Sequence, residues 1–211
     1  MQVKPAQPSQ GFDLNTPLTP ASAVAFKAAG MAFVIRYVPR TATLIGTSNL
    51  TEQEIEIILT AGLALMAVQH VSPDNWWPTA ALGESYGQYG AEYADQIGYP
   101  KGGMLWLDLE MVNKDALPAD IIAYCKAWFE AVSSAGYVPG LYVGWQTGLT
   151  PQQLYDLPFT AYWRGYNADI GIPGRGYCML QAPQKTLDSI IYDPDELVAD
   201  KEGVLPVWVT A

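Results

Sequence analysis

The 211-residue chain has a single histidine, His70. Neither a histidine-based catalytic triad nor a multi-histidine metal site can be assembled from it. Cysteine is nearly absent: Cys125 and Cys178 could pair, but they do not make a disulfide framework. Charge is scarce, at 15% of residues against the usual ~25%. What charge there is leans acidic, with 11 Lys and Arg against 21 Asp and Glu and a net charge of −10. That balance excludes a nucleic-acid binder, which needs clustered cations to neutralise phosphate. It equally excludes a basic protein of the membrane surface. No apolar run approaches the ~20 residues of a membrane span. The opening stretch MQVKPAQPSQ lacks the apolar core of a signal peptide, so the residues leave the localisation open. No GxGxxG or Gly-Lys phosphate loop follows the first strand, and no EF-hand loop is present. No cofactor and no metal are therefore expected, and a monomer is.

Aromatic residues are plentiful, with 7 Trp, 13 Tyr and 5 Phe. Low charge with abundant Trp and Tyr suits either a packed aromatic core or a surface that stacks on neutral rings such as sugars. The length fits one domain with a proper core. Residues 1–9 read as a flexible tail and residues 10–211 as a single domain.

Three segments share one design: AAGMAFVIRY at 28–37, TAGLALMAVQ at 60–69 and SAGYVPGLYV at 134–143. In each, a helical stretch ends at a glycine and an apolar strand follows. Gly30, Gly62 and Gly136 fit the left-handed position that closes a helix. The upstream starts match: Thr19-Pro20, Thr51 with Glu54 as a capping box, and Pro118. A further helix is expected near 82–97 and a short one after Thr150-Pro151. Strands are expected near 11–14, 32–37, 64–69, 104–110, 140–144, 160–164, 177–181 and 189–192. Several are apolar on both faces, as parallel strands under helices are. The pattern predicts an α/β fold, an irregular TIM-like β/α barrel of eight strands with about five helices. The last three strands are too closely spaced for full crossover helices, so loops should join them. A doubly wound sheet is the rival.

Nearly every expected strand ends in a polar side chain: Asp13, Arg36, Gln69, Asp108 with Glu110, Tyr142, Trp163 with Arg164, Gln181 and Asp193. In a β/α barrel the C-terminal strand ends form the active-site face. The sharpest signal is Leu105-Trp106-Leu107-Asp108-Leu109-Glu110. Side chains alternate along a strand, so the leucines share one face while Trp106, Asp108 and Glu110 point into the barrel. Two residues of strand rise are about 6.6 Å, which puts both carboxylates in one pocket. Like charges that close raise one pKa, and a carboxyl that holds its proton near neutral pH can act as a general acid. A solvated acidic strand end is the bland alternative. Asp13 and Asp193 each suit a turn as well, since Thr16-Pro17 and Pro194 follow them; closure of the barrel would bring the two together. Arg36 fits a structural salt bridge better than a substrate contact. His70 reads as a hydrogen-bonded loop residue, and Cys125 as inert core. Trp76 and Trp77, in a loop after the third strand, suit either a sugar-stacking wall or a lid packed on the rim. Trp145 and Trp163 are similarly placed.

Gly-Phe-Asp at 11–13, Arg36-Tyr37, Leu107-Asp108-Leu109-Glu110, Tyr142 and Asp193 together make the chain resemble a glycoside-hydrolase-like domain of unknown function first noted in mycobacterial proteins. That domain is related to the family 25 lysozymes, or muramidases. The resemblance spans about residues 10–200 and is most specific over residues 11–40. It implies an irregular eight-stranded barrel with Glu110 as general acid and Asp108 as its partner, positioning an N-acetyl group or stabilising charge at the anomeric centre. Asp13 and Asp193 would line the same pocket. Arg36, Tyr37, Gln69, Trp76, Trp77, Tyr142, Trp145, Trp163 and Gln181 are the expected substrate contacts. The substrate implied is the glycan strand of peptidoglycan, cleaved with retention if the N-acetyl group assists. Residues 181–185 depart from the lysozymes' Trp-Gln-Tyr pattern. A non-catalytic glycan-binding module on the same barrel is the competing reading.

Overall fold

The computed structural model describes residues 1–70, 73–168 and 170–211. Seven strands run parallel and in sequence order: β2 (Ser9–Asp13), β3 (Phe33–Val38), β4 (Ala64–Gln69), β5 (Met104–Leu109), β6 (Val138–Val143), β7 (Tyr162–Arg164) and β8 (Met179–Gln181). An eighth, β10 (Ile190–Leu197), pairs antiparallel with both β8 and β2 and closes the barrel. The described residues thus form a closed, mixed eight-stranded barrel with five α-helices.

The helices are α1 (Pro20–Ala28), α2 (Glu52–Thr60), α3 (Ala80–Gln96), α4 (Pro118–Ser134) and α5 (Pro151–Tyr155). Thr19, Thr51, Thr79 and Thr150 cap four of them, each accepting a backbone N–H of the first turn. Gly30, Gly62 and Gly136 adopt φ of +91°, +79° and +89° just past three helix ends, where an L side chain would be strained. The expected capping box at Thr51 forms only in half. Thr51 accepts from the Glu54 N–H, but the Glu54 side chain turns away to the Arg36 guanidinium.

Alternation along the strands divides the apolar residues into two layers. Phe33, Ile35, Met66, Val68, Trp106, Trp163 and Met179 fill the barrel, while Val34, Leu65, Leu105, Leu107, Leu109 and Leu141 pack under the helices. On α3, Gly83 and Gly87 let the α4 backbone approach closely; a Cβ on Gly83 would overlap the Tyr124 carbonyl.

The reversal of β10 has a local cause. The strand β9 (Lys185–Leu187) pairs with the start of β10 through a two-residue turn, Asp188-Ser189, with both residues at positive φ. Such a turn matches the twist of a hairpin and sends the chain straight back. The strand expected at 189–192 accordingly extends through Pro194 to Leu197.

The expected tail is not one. Within residues 1–9, β1 (Gln2–Pro5) pairs antiparallel with β11 (Val207–Thr210). Val209 in turn pairs with Leu65, while the C-terminal half of β4 pairs with β5. The ribbon buries Trp208 against Phe33 at the N-terminal end of the barrel, which orders the segment. Cys125 and Cys178 are both free, one on the buried face of α4 and one inside the barrel. No helix is long and apolar enough to cross a membrane, among the described residues.

Candidate active site

The C-terminal ends of the parallel strands open into a pocket of about 180 Å³. Its walls include Asp13 from β2, Tyr37 from β3, Asp108 and Glu110 from β5, Tyr142 from β6, Trp163 from β7, Gln181 from β8 and Asp193 from β10. Asp193 reaches this rim although its strand runs the other way, because the register sets it directly opposite Asp13.

Asp13 is buried. Its Oδ1 accepts from the Tyr37 hydroxyl at 2.8 Å, and its Oδ2 accepts from Gln181 Nε2 at 2.7 Å. Burial, reinforced by the charge of Asp193, pushes its pKa up to about 7. Gln181 also accepts from the Tyr142 hydroxyl at 3.1 Å, so one amide ties two pocket walls together. Asp108 meets His70 Nδ1 at 3.3 Å, and the His70 ring stands edge-on to Tyr37.

Glu110 follows the last residue of β5. Burial and the neighbouring Asp108 and Asp13 charges push its pKa up to about 8. Two neighbouring loops fix the backbone here. Trp76 Nε1 donates to the Glu110 carbonyl at 2.9 Å, Met111 N–H to the Trp145 carbonyl at 2.8 Å, and Val112 N–H to the Gln146 carbonyl at 3.0 Å. Gly144 leaves room for the side chain: a Cβ there would overlap the Glu110 carboxylate.

Five residues expected at the pocket lie elsewhere or outside its walls. Arg36 is fully buried on the opposite face of β3, where Nε donates to Glu54 Oε1 at 2.7 Å and the guanidinium reaches the Leu14 and Ser48 carbonyls. Gln69 likewise points outward, bonding the Pro39 and Tyr86 carbonyls and accepting from Trp128 Nε1 at 2.6 Å. Both sit one residue out of phase with the inward face of their strands. Trp76 is a packed support, buried edge-on against Tyr124. Trp77 and Trp145 are not pocket walls either; they stand exposed on the rim loops, at 57% and 50%.

The residues missed are His70, Tyr166, Asn167, Gln184 and Asp195. His70 was within reach of the alternation argument, since it continues the inward series Met66, Val68. Tyr166, Asn167 and Gln184 lie on loops and carry no comparable signal. Asp195 is buried behind the pocket and is not among its lining residues, but its Oδ1 accepts from Trp163 Nε1 at 2.9 Å. Among the described residues, no group of three or more His, Cys, Asp or Glu side chains is arranged to hold a metal ion.

The barrel agrees with a sequence comparison. The Rv2525c-like, glycoside hydrolase-like domain matches residues 24–186. The chain belongs to this family. The matched segment contains Asp108 and Glu110, while Asp13 and Asp193 flank it on either side. No curated protein matches the sequence. Solved structures share the family's barrel at low identity. The Tat-secreted protein Rv2525c of Mycobacterium tuberculosis superposes with a TM-score of 0.66 at 16% identity, over 90% of this chain and 95% of that one. The muramidase from Trichobolus zukalii gives 0.64 at 18%, over 90% and 93%. A family 25 glycosyl hydrolase from Bacillus anthracis gives 0.62 at 14%, over 92% and 90%. These likenesses establish the fold of this Rv2525c-like domain.

Proposed function

We propose that this domain is a glycosidase of the muramidase type, which cleaves the N-acetylated glycan strand of peptidoglycan with Glu110 as general acid. One observation carries the reading: a glutamate that keeps its proton to about pH 8 faces a pocket whose other walls include Asp108, Asp13 and Asp193. Glu110 protonates the glycosidic oxygen as the bond to the anomeric carbon breaks. Asp108 orients the substrate's N-acetyl group, whose carbonyl oxygen attacks the anomeric centre. Water then opens the resulting ring, with Glu110 now acting as base, and the configuration is retained. Tyr37, Tyr142, Trp163 and Gln181 contact the sugar in the pocket, and Trp77 and Trp145 extend a stacking surface along the rim. A single chain carries every one of these groups, so a monomer suffices.

Arg36 pairs with Glu54 behind the strand and leaves Glu110 uncompensated, which favours a catalytic over a purely binding pocket. The test is release of reducing ends from purified peptidoglycan by the wild type and by Glu110→Gln. Turnover by the wild type and a loss of at least ~10²-fold in the variant are expected. Binding to cell walls with no turnover by either protein would instead identify a non-catalytic glycan-binding module.

A further inference from the structure

Asp195 takes no part in the mechanism above, yet it is among the most deeply buried acids of the chain, at 1% exposure. It lies opposite Gln181 on β8 and opposite Gly11 on β2, one step along the inward face from Asp193. Its Oδ1 is satisfied by Trp163 Nε1 at 2.9 Å. Its Oδ2 is buried and finds no ordinary donor among the described residues. The register of β2 and β10 makes the Asp13 carboxyl its diagonal neighbour on the same inward face, and the two side chains interact. Two carboxylate oxygens in a dry interior repel each other; they attract only with a proton between them.

We propose that Asp195 is a positioning residue that keeps its proton at neutral pH and donates it to Asp13, making the two a carboxylic acid–carboxylate pair in the floor of the pocket. The hydrogen bonds assign the proton to Asp195. Asp13 accepts from both Tyr37 and Gln181, donors that favour its ionised form, whereas among the described residues Asp195 accepts only from Trp163. The surrounding titratable groups reinforce this. They are Asp13 on β2, Asp193 on β10 and Tyr142 on β6. The cation of β3, Arg36, is committed to Glu54 on the other face. Burial and the charges of Asp13 and Asp193 hold Asp195 well above the usual carboxylate range. The pair therefore titrates as a unit. It carries one proton above neutrality, fixes the Asp13 carboxylate between three donors, and removes one negative charge from a crowded pocket.

Infrared spectroscopy reads the proton directly and needs no substrate, so its outcome is independent of the glycosidase reading. The protein is compared in mildly alkaline buffer as Glu110→Gln, which removes the signal of Glu110, and as Glu110→Gln with Asp195→Asn. A carboxylic acid C=O band in the first that disappears in the second is expected. No such band in Glu110→Gln, or one untouched by Asp195→Asn, overturns the assignment. Stability provides the second measurement. Asn presents a carbonyl to Trp163 and an N–H to Asp13, the same pattern as a protonated Asp195, whereas Ala presents neither. In alkaline buffer Asp195→Asn is expected to melt at or above the wild-type temperature and Asp195→Ala well below it. An Asn variant destabilised as much as the Ala variant would mean that Asp195 is ionised.

Discussion

Asp13 and Asp193, near opposite ends of the chain, sit directly opposite one another where β2 meets β10. Residues opposed on an antiparallel pair point to the same face, so both carboxyls enter the barrel at its open end. Burial raises the free energy of ionising each, and the charge of Asp193 adds to it at Asp13; the pKa of Asp13 rises to about 7, and that of Asp193 rises above the ordinary aspartate range against a hydrogen bond from Gln184. The joint that closes the barrel is thus also one wall of the pocket.

Turnover should depend on the protonated form of Glu110. Its proton is lost as pH rises through about 8. The rate on peptidoglycan is expected to hold near neutrality and to fall about tenfold per pH unit above that point. A rate that keeps rising through pH 9 to 10 would remove Glu110 from the role of general acid.

The same shifted carboxyls should cost stability, and the sign is fixed. Glu110 and Asp13 bind protons more tightly folded than unfolded. Below pH about 4 both states are protonated and there is no penalty. Between that pH and about 8 the unfolded chain releases protons that the folded one retains, so stability falls as pH rises. Glu110→Gln is expected to unfold at higher denaturant than wild type at pH 8, by on the order of 1–3 kcal/mol, and to match it at pH 4. Urea titrations at the two pH values check this.

Gly144→Ala is expected to disable the site without unfolding the domain. The added methyl would occupy the space of the Glu110 carboxylate. The methyl also overlaps the Glu110 Cβ, so the strand end must shift with the side chain, and a misplaced general acid loses on the order of 10²-fold in rate. Normal circular dichroism with that loss is the expected pair of results. An unchanged rate would show that Glu110 acts from another rotamer.

Arg36→Met should do the reverse. Arg36 is fully buried, and its loss strands the Glu54 carboxylate under the barrel wall. Breaking such a pair costs about 3–5 kcal/mol. A large drop in unfolding free energy is expected, with KM for the surviving folded protein unchanged. A raised KM would return Arg36 to the substrate.

Exposed Trp77 and Trp145 are expected to contribute to glycan binding, not to chemistry. Replacing either with Ala should weaken cell-wall binding by about 1–3 kcal/mol per lost stacking contact and leave pocket titrations in place. Pull-down on peptidoglycan checks it.

Much of this was legible in the residues. Thr-capped helices ending at Gly30, Gly62 and Gly136, each followed by an apolar strand, specify βα units through local backbone preferences alone. The alternation in residues 105–110 specifies that Asp108 and Glu110 face inward together. Arg36 forms the structural salt bridge its residue type suggested; it and Gln69 misled only as substrate contacts, because the end of a strand says nothing about which face a side chain takes, and their neighbours Tyr37 and His70 hold the inward phase. The tail at residues 1–9 misled because β1 has no partner until Val207–Thr210 arrives from the far end of the chain.

The sequence by itself determined the repeating units, their caps and the facing of the Asp108–Glu110 couple, because those follow from interactions a few residues apart. Only the tertiary structure decided the reversed direction of β10, the opposition of Asp13 and Asp193, the contact of Asp195 with Asp13, and the retreat of Arg36 to Glu54. Those depend on which distant strands become neighbours and on how much water they exclude. Propensity and spacing carry neither, and the protons of the acidic pocket are set by both.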